Sequence, residues 1–149
     1  MTPAEINEYL RDAFPGVSAE CTEVGHNFAV GRRPVSADMI RPGGFVSGPT
    51  QFAIADAVLW FALFGAVGIE PMAMTSELSI RYLRPAAGIT VFARAELAAA
   101  GRRNVVGTVK VWMDDRADRP TSVAQGTYVR PATAAGYTTA AGVGGGFEV

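Results

Sequence analysis

Residues 52–69 form an apolar run interrupted by a single charge, Asp56. A helix that is oily nearly all round can exist in only two surroundings, a bilayer or a protein core. Eighteen residues just suffice to span hydrocarbon. The carboxylate would cost roughly 2.5–3.5 kcal/mol to insert there, and Arg41 is the one charge near the upstream end. The reading that fits is a core helix, and the wrapper available to it is a curved antiparallel sheet.

The rest of the chain supplies that wrapper. Residues 2–13 predict a short amphipathic helix, with Thr2 as N-cap, Pro3 in the first turn and Glu5 placed for a capping box. Pro15-Gly16 ends it. Residues 17–24 alternate, and residues 28–33 suit a second strand. The long helix is expected from about 50 to 66, closed by Gly65 and Gly68. Beyond it, residues 74–83 place Leu78, Ile80 and Tyr82 on one face, with Glu77, Ser79 and Arg81 on the other. Residues 89–97, 105–113 and 122–130 continue as strands joined by short turns, which favours a meander. The fold class is α+β. One domain is expected over residues 1–130, followed by an Ala/Gly/Thr-rich tail at 131–149, read as a flexible extension.

Composition narrows the function. Of 149 residues, 49% are hydrophobic and 18% charged, which describes a globular domain rather than a disordered chain. Thirteen basic residues against fourteen acidic ones argue against a broad nucleic-acid or membrane footprint, although clustered arginines can still hold a small polyanion. The lone Cys21 cannot form an intramolecular disulfide, and the N-terminus has neither the basic nor the apolar part of a signal peptide. A cytoplasmic protein is the expectation.

The chemistry concentrates at one helix. Arg41-Pro-Gly-Gly-Phe-Val-Ser-Gly-Pro49 is a turn opening onto it, and Pro49 suits the first helical position, which makes Gly48 the expected N-cap or nearly so. A free N–H there, beside the positive end of the helix dipole, can hold a developing oxyanion. Read alone, Ser-Gly-Pro is also an ordinary way to start a helix. Asp56 follows eight residues later, about 12 Å along the axis at 1.5 Å per residue. No single carbonyl can touch both groups. If both act on one substrate they come from different copies of the chain, in a two-fold dimer with two sites. Phe52 and Trp60, one turn either side of Asp56, are candidates to line an acyl pocket and desolvate the carboxylate, with plain core as the alternative.

Other reaction classes lack their parts. His26 is the only histidine and has no serine partner nearby in sequence, and one histidine with one cysteine cannot make an ordinary zinc site. Neither a P-loop nor a dinucleotide fingerprint is present. Arg102 and Arg103 read as a hairpin turn that could also pair with phosphates. No metal or cofactor is expected.

Several segments together resemble the hotdog-fold acyl-CoA thioesterases, in the PaaI-type branch. They are Gly43-Gly-Phe-Val-Ser-Gly48, Phe52-Ala-Ile-Ala-Asp-Ala57, Met74-Thr-Ser-Glu-Leu-Ser-Ile-Arg-Tyr-Leu-Arg-Pro85, Gly101-Arg102 and Val123-Ala-Gln-Gly-Thr-Tyr128. The resemblance covers about residues 41–130 and implies a long helix wrapped by a sheet, in a homodimer or a tetramer with sites between subunits. It implies hydrolysis of an acyl-CoA, with Asp56 as catalytic carboxylate, Gly48 as oxyanion donor and Thr75 as a hydroxyl that helps place water. Ser47, Phe52, Trp60, Arg41, Arg84, Arg102 and Arg103 would contact substrate. Asp56 as base and Asp56 as nucleophile both fit. The chain departs from the pattern at Ser47, where many members have histidine, at Arg41, where many have asparagine, and at Pro49, where many have a second glycine. Those departures keep open a non-catalytic acyl-ligand binder on the same fold. A hotdog dehydratase or hydratase would need a histidine beside the acid, and none lies near Asp56 in sequence.

Overall fold

A computed structural model describes residues 1–17 and 19–132. The expected tail therefore lies, from residue 133 onward, outside the described residues. Helix α1 spans Pro3–Ala13 with Thr2 as N-cap. Its capping box is complete: the Glu5 N–H donates to Thr2 Oγ1 at 3.2 Å, and the Thr2 N–H donates to Glu5 Oε2 at 2.6 Å. Ile6 and Leu10 face the core.

Helix α2 spans Gly48–Val67. Around it curves a six-stranded antiparallel sheet made of β1 (Glu20–Val24), β2 (Phe28–Pro34), β5 (Met74–Tyr82), β6 (Thr90–Ala100), β7 (Asn104–Met113) and β8 (Ser122–Val129). The strand order is β1-β2-β6-β7-β8-β5. Two short strands, β3 (Ile40–Arg41) and β4 (Phe45–Val46), form a separate hairpin ahead of α2. Ile54, Val58, Leu59 and residues 61–64 of α2 are buried against the concave face of the sheet, so the apolar helix is satisfied by protein.

Three local expectations shift. The first strand begins at Glu20 rather than residue 17. Ile89 stays outside β6 and is 79% exposed, because the strand begins at Thr90. Gly65 does not close α2. It lies inside the helix, where a Cβ would come within 2.1 Å of the Gly25 carbonyl, so its role is to let the β1–β2 hairpin approach. Gly68 alone ends the helix, at φ +93°.

The two edges of the sheet differ. The β1 edge is covered, because the Asn7 side chain of α1 donates to the Cys21 carbonyl (2.9 Å) and accepts from the Cys21 N–H (2.8 Å). Among the described residues, the β5 edge pairs only with β8 on its inner side, and it exposes Met74 and Tyr82 by nearly half.

Candidate active site

The start of α2 is built by local chemistry. Gly43 and Gly44 both take positive φ (+101° and +85°), which turns β3 back onto β4. The Val46 N–H then donates to the Ala86 carbonyl and the Ser47 N–H to the Met39 carbonyl, both at 2.8 Å. The cap falls one residue earlier than expected. Ser47 is the N-cap, its hydroxyl accepting from the Thr50 N–H at 3.4 Å, which moves Gly48 to the first helical position and Pro49 to the second. A serine side chain competes better than glycine for this role because it supplies an acceptor.

That shift leaves one donor over. Pro49 has no N–H, the Thr50 N–H is taken by Ser47 Oγ, and the Gln51 N–H reaches the Ser47 carbonyl at 3.3 Å. Among the described residues the Gly48 N–H has no acceptor, as is usual for a first-turn amide. Tyr82 fixes this corner from the end of β5. Its hydroxyl donates to the Gly48 carbonyl at 2.8 Å, and a Cβ on Gly48 would sit 3.1 Å from its ring.

The second half of the site is assembled from three distant segments. Asp56 is half-buried on the face of α2 that also carries the exposed Pro49, Phe52 and Ala53. Its Oδ1 accepts from Thr75 Oγ1 at 2.7 Å and from the Tyr128 hydroxyl at 2.8 Å. Tyr128 also reaches the Asp56 backbone carbonyl at 3.0 Å. Thr75 and Tyr128 stand opposite one another in the β5–β8 register. A bulge places them so. The alternation that turns Leu78 and Ile80 inward would, carried backward, turn in Ser76 and Met74, but one extra residue between Thr75 and Glu77 resets the phase. Thr75 thus faces α2 while Met74 remains 45% exposed. Tyr128 is only 5% exposed. Burial, then the charge of Asp56, pushes its phenol well above the usual tyrosine range, so it stays a protonated donor.

The other expected residues scatter. Phe52, 37% exposed, shares the open face with Asp56. Trp60 instead joins an aromatic cluster with Tyr9, Phe14 and Phe64, and its indole N–H donates to the Glu70 carbonyl at 3.4 Å. That cluster seals α1 onto α2, which is the plain-core alternative for this side chain. The Ser47 hydroxyl is engaged with Thr50. Arg41 lies exposed in β3, and the Arg84 guanidinium donates to the Pro120 carbonyl. Arg102 and Arg103 are exposed at the β6–β7 turn, at the same end of the sheet as Tyr128, whose register partner is Val105. Arg130 forks onto Glu70 at 2.8 and 2.5 Å and reaches the Gly101 carbonyl at 3.0 Å, bracing that turn.

Cys21 takes no part, and His26 lies exposed in the turn between β1 and β2. Burial pushes the Cys21 thiol up to about 12, which leaves it a neutral, inert group in the core. Among the described residues, no three His, Cys, Asp or Glu side chains converge as a metal would require.

Tyr82 and Tyr128 are the site residues that sequence reasoning missed. A signal for Tyr128 existed: the inward phase of β8 runs Ser122, Ala124, Gly126, Tyr128, one large polar-tipped side chain after three small ones.

Comparisons place this arrangement among known proteins. A family model described as "Thioesterase superfamily" matches residues 43–120, more than half of the chain. No curated protein sequence matches significantly. Among solved structures, a provisionally named thioesterase from Silicibacter sp. TM1040 superposes with a TM-score of 0.79 at 26% identity, covering 88% of this chain and 92% of its own. Zebrafish thioesterase superfamily member 2 gives 0.75 at 16% identity, covering 88% and 99%. The Escherichia coli PaaI protein of the phenylacetic acid degradation operon gives 0.68 at 22%, covering 85% and 94%. The wrapped helix is the hotdog fold.

Proposed function

The chain belongs to the thioesterase superfamily, and from that premise we propose that it hydrolyses acyl-CoA thioesters to a free acid and CoA. The observation that carries this reading is the pairing of two groups on the open face of α2. One is a half-buried carboxylate held by hydroxyls, and the other is a backbone N–H left over at the helix start.

The two groups act on one carbonyl only if a second copy contributes. In the proposed homodimer, two β5 edges pair about a two-fold axis, which satisfies the uncovered edge and continues the sheet. The two α2 helices then run antiparallel, and Gly48 of one chain comes beside Asp56 of its partner. Oxyanion charge on the thioester oxygen is stabilised by the Gly48 N–H and the helix dipole. Asp56 either removes a proton from the water that attacks the carbonyl carbon, or attacks that carbon itself to give a mixed anhydride that water then opens. In both routes the C–S bond breaks, the thiolate of CoA departs, and the released proton ends in solvent. Phe52 offers an apolar wall for the acyl group. Arg102 and Arg103 at one end, with Arg84 and Arg41 toward the other, are the cations available to CoA phosphates. The chemistry needs no metal or resident cofactor, and the lone Cys21 suits a reducing cytoplasm.

The rival reading is an acyl-ligand binder, favoured by one observation: Ser47, where the resemblance leads one to expect a histidine, is spent on capping the helix. Free-thiol release from aryl-, short-chain and long-chain acyl-CoAs separates the two, with Asp56→Asn as control. Hydrolysis lost in that variant supports the enzyme; tight binding with no turnover on any substrate supports the binder.

A further inference from the structure

Resting on the reading of Asp56 as the reacting acid, we propose that Tyr128, together with Thr75, is a positioning pair that ties down Asp56 Oδ1 and leaves Oδ2 as the atom presented to water or substrate.

Both hydroxyls donate to the same oxygen, at 2.8 and 2.7 Å, and among the described residues no hydrogen bond or ion pair reaches Oδ2. The two oxygens are thus set apart: Oδ1 is held by protein hydroxyls, and Oδ2, on a partly exposed side chain, is open to solvent or a ligand. Here the asymmetry is complete. Tyr128 adds a second constraint, since its hydroxyl lies between the side-chain Oδ1 and the backbone carbonyl of the same residue. One hydroxyl in reach of both atoms ties the carboxylate to the backbone of its own helix.

The chemistry of the donors fits the division of labour. A hydroxyl has one proton and two lone pairs. With its proton on Oδ1, Thr75 Oγ1 can only accept, so a water lying beside Asp56 can donate one proton to Thr75 and the other to Oδ2. Tyr128 is a dependable donor because it is buried against an anion and does not ionise in the working pH range. Two hydrogen bonds hold Oδ1 in place and leave the lone pairs of Oδ2 free to face a water or a carbonyl carbon. The base or nucleophile is therefore aimed by the sheet: the β5–β8 register and the bulge before Glu77 bring the two hydroxyls side by side.

The test compares native protein, Asp56→Asn, Tyr128→Phe, Thr75→Val and Thr75→Ser on the acyl-CoA the native protein turns over fastest. We expect Tyr128→Phe and Thr75→Val each to lower kcat about tenfold, with KM within about twofold of native, and Thr75→Ser to restore near-native kcat. Tyr128→Phe with native kcat, or with only KM raised, overturns the positioning role while a dead Asp56→Asn still upholds the hydrolase. Full activity in Asp56→Asn sinks the reading beneath it instead. Should Tyr128→Phe fail to fold, a crystal structure of the native protein with a ketone analogue of the acyl-CoA decides. Oδ2, or a water bound to it, facing the carbonyl carbon supports the proposal, and Oδ1 facing it overturns it.

Discussion

The two halves of the site are made in opposite ways. Around Gly48, nearly everything is local: two glycines turn a hairpin, Ser47 caps, Pro49 withholds an N–H, and one amide is left over within a stretch of nine residues. Around Asp56, nothing is local. Its two partners come from 19 and 72 residues away, and they meet only because β5 and β8 pair in one register with one extra residue. A backbone donor can be specified by a short motif. An aimed carboxylate needs the sheet.

The contrast can be broken at its most exposed point. Asp56→Asn keeps the side-chain shape and removes the base, and it should lower kcat about 10³-fold with little change in thermal midpoint, measured by thiol release and by melting. Near-native turnover would remove Asp56 from the chemistry.

Gly48→Pro removes the amide at a helical position that tolerates proline. The new ring presses on Tyr82, which is 47% exposed and able to swing aside. We expect kcat to fall about 10²-fold. Mixing this variant with Asp56→Asn should then restore about one quarter of native activity, because half of the random dimers carry one intact site of two. No recovery on mixing would mean that each site is built within one chain.

A smaller effect is expected at the corner itself. Tyr82→Phe deletes one exposed hydrogen bond to the Gly48 carbonyl and should cost under about 1 kcal/mol in urea unfolding. A loss of several kcal/mol would show that the helix start depends on the sheet after all.

One more stability effect appears with pH and needs no substitution. The Cys21 thiol and the Tyr128 phenol are both raised in the folded state, the thiol to about 12. Their contribution to stability is full below the ordinary thiol range and declines as pH rises through about 9 toward 12, because the unfolded chain ionises first. Denaturant midpoints taken from pH 7 to 11 should be flat and then fall. Cys21 in native protein should also resist thiol reagents at pH 8.

Much of this was legible in the residues. The apolar run at 52–69 demanded a wrapped helix, and the alternating segments after it provided the wrapper, since burial periodicity is written directly into side-chain order. Asp56, Gly48 and the capping box at Thr2 were visible for the same reason: each depends on spacing along one element. The cap at Ser47 and the continuation of α2 through Gly65 were misjudged by local rules, because a side-chain acceptor and a close-packed hairpin decided them. Trp60 could be read from sequence as pocket wall or plain core, and its packing against Tyr9 and Phe14 was not legible there.

Sequence alone thus determined the helix, its charge and its amide, all of which follow from short-range geometry. Tertiary structure alone decided which oxygen of Asp56 is held, that Tyr128 and Thr75 hold it, and that among the described residues one edge of the sheet is left uncovered. The physical reason is register: a single extra residue in β5 inverts which side chains face inward, and no local pattern records where a strand will find its partner.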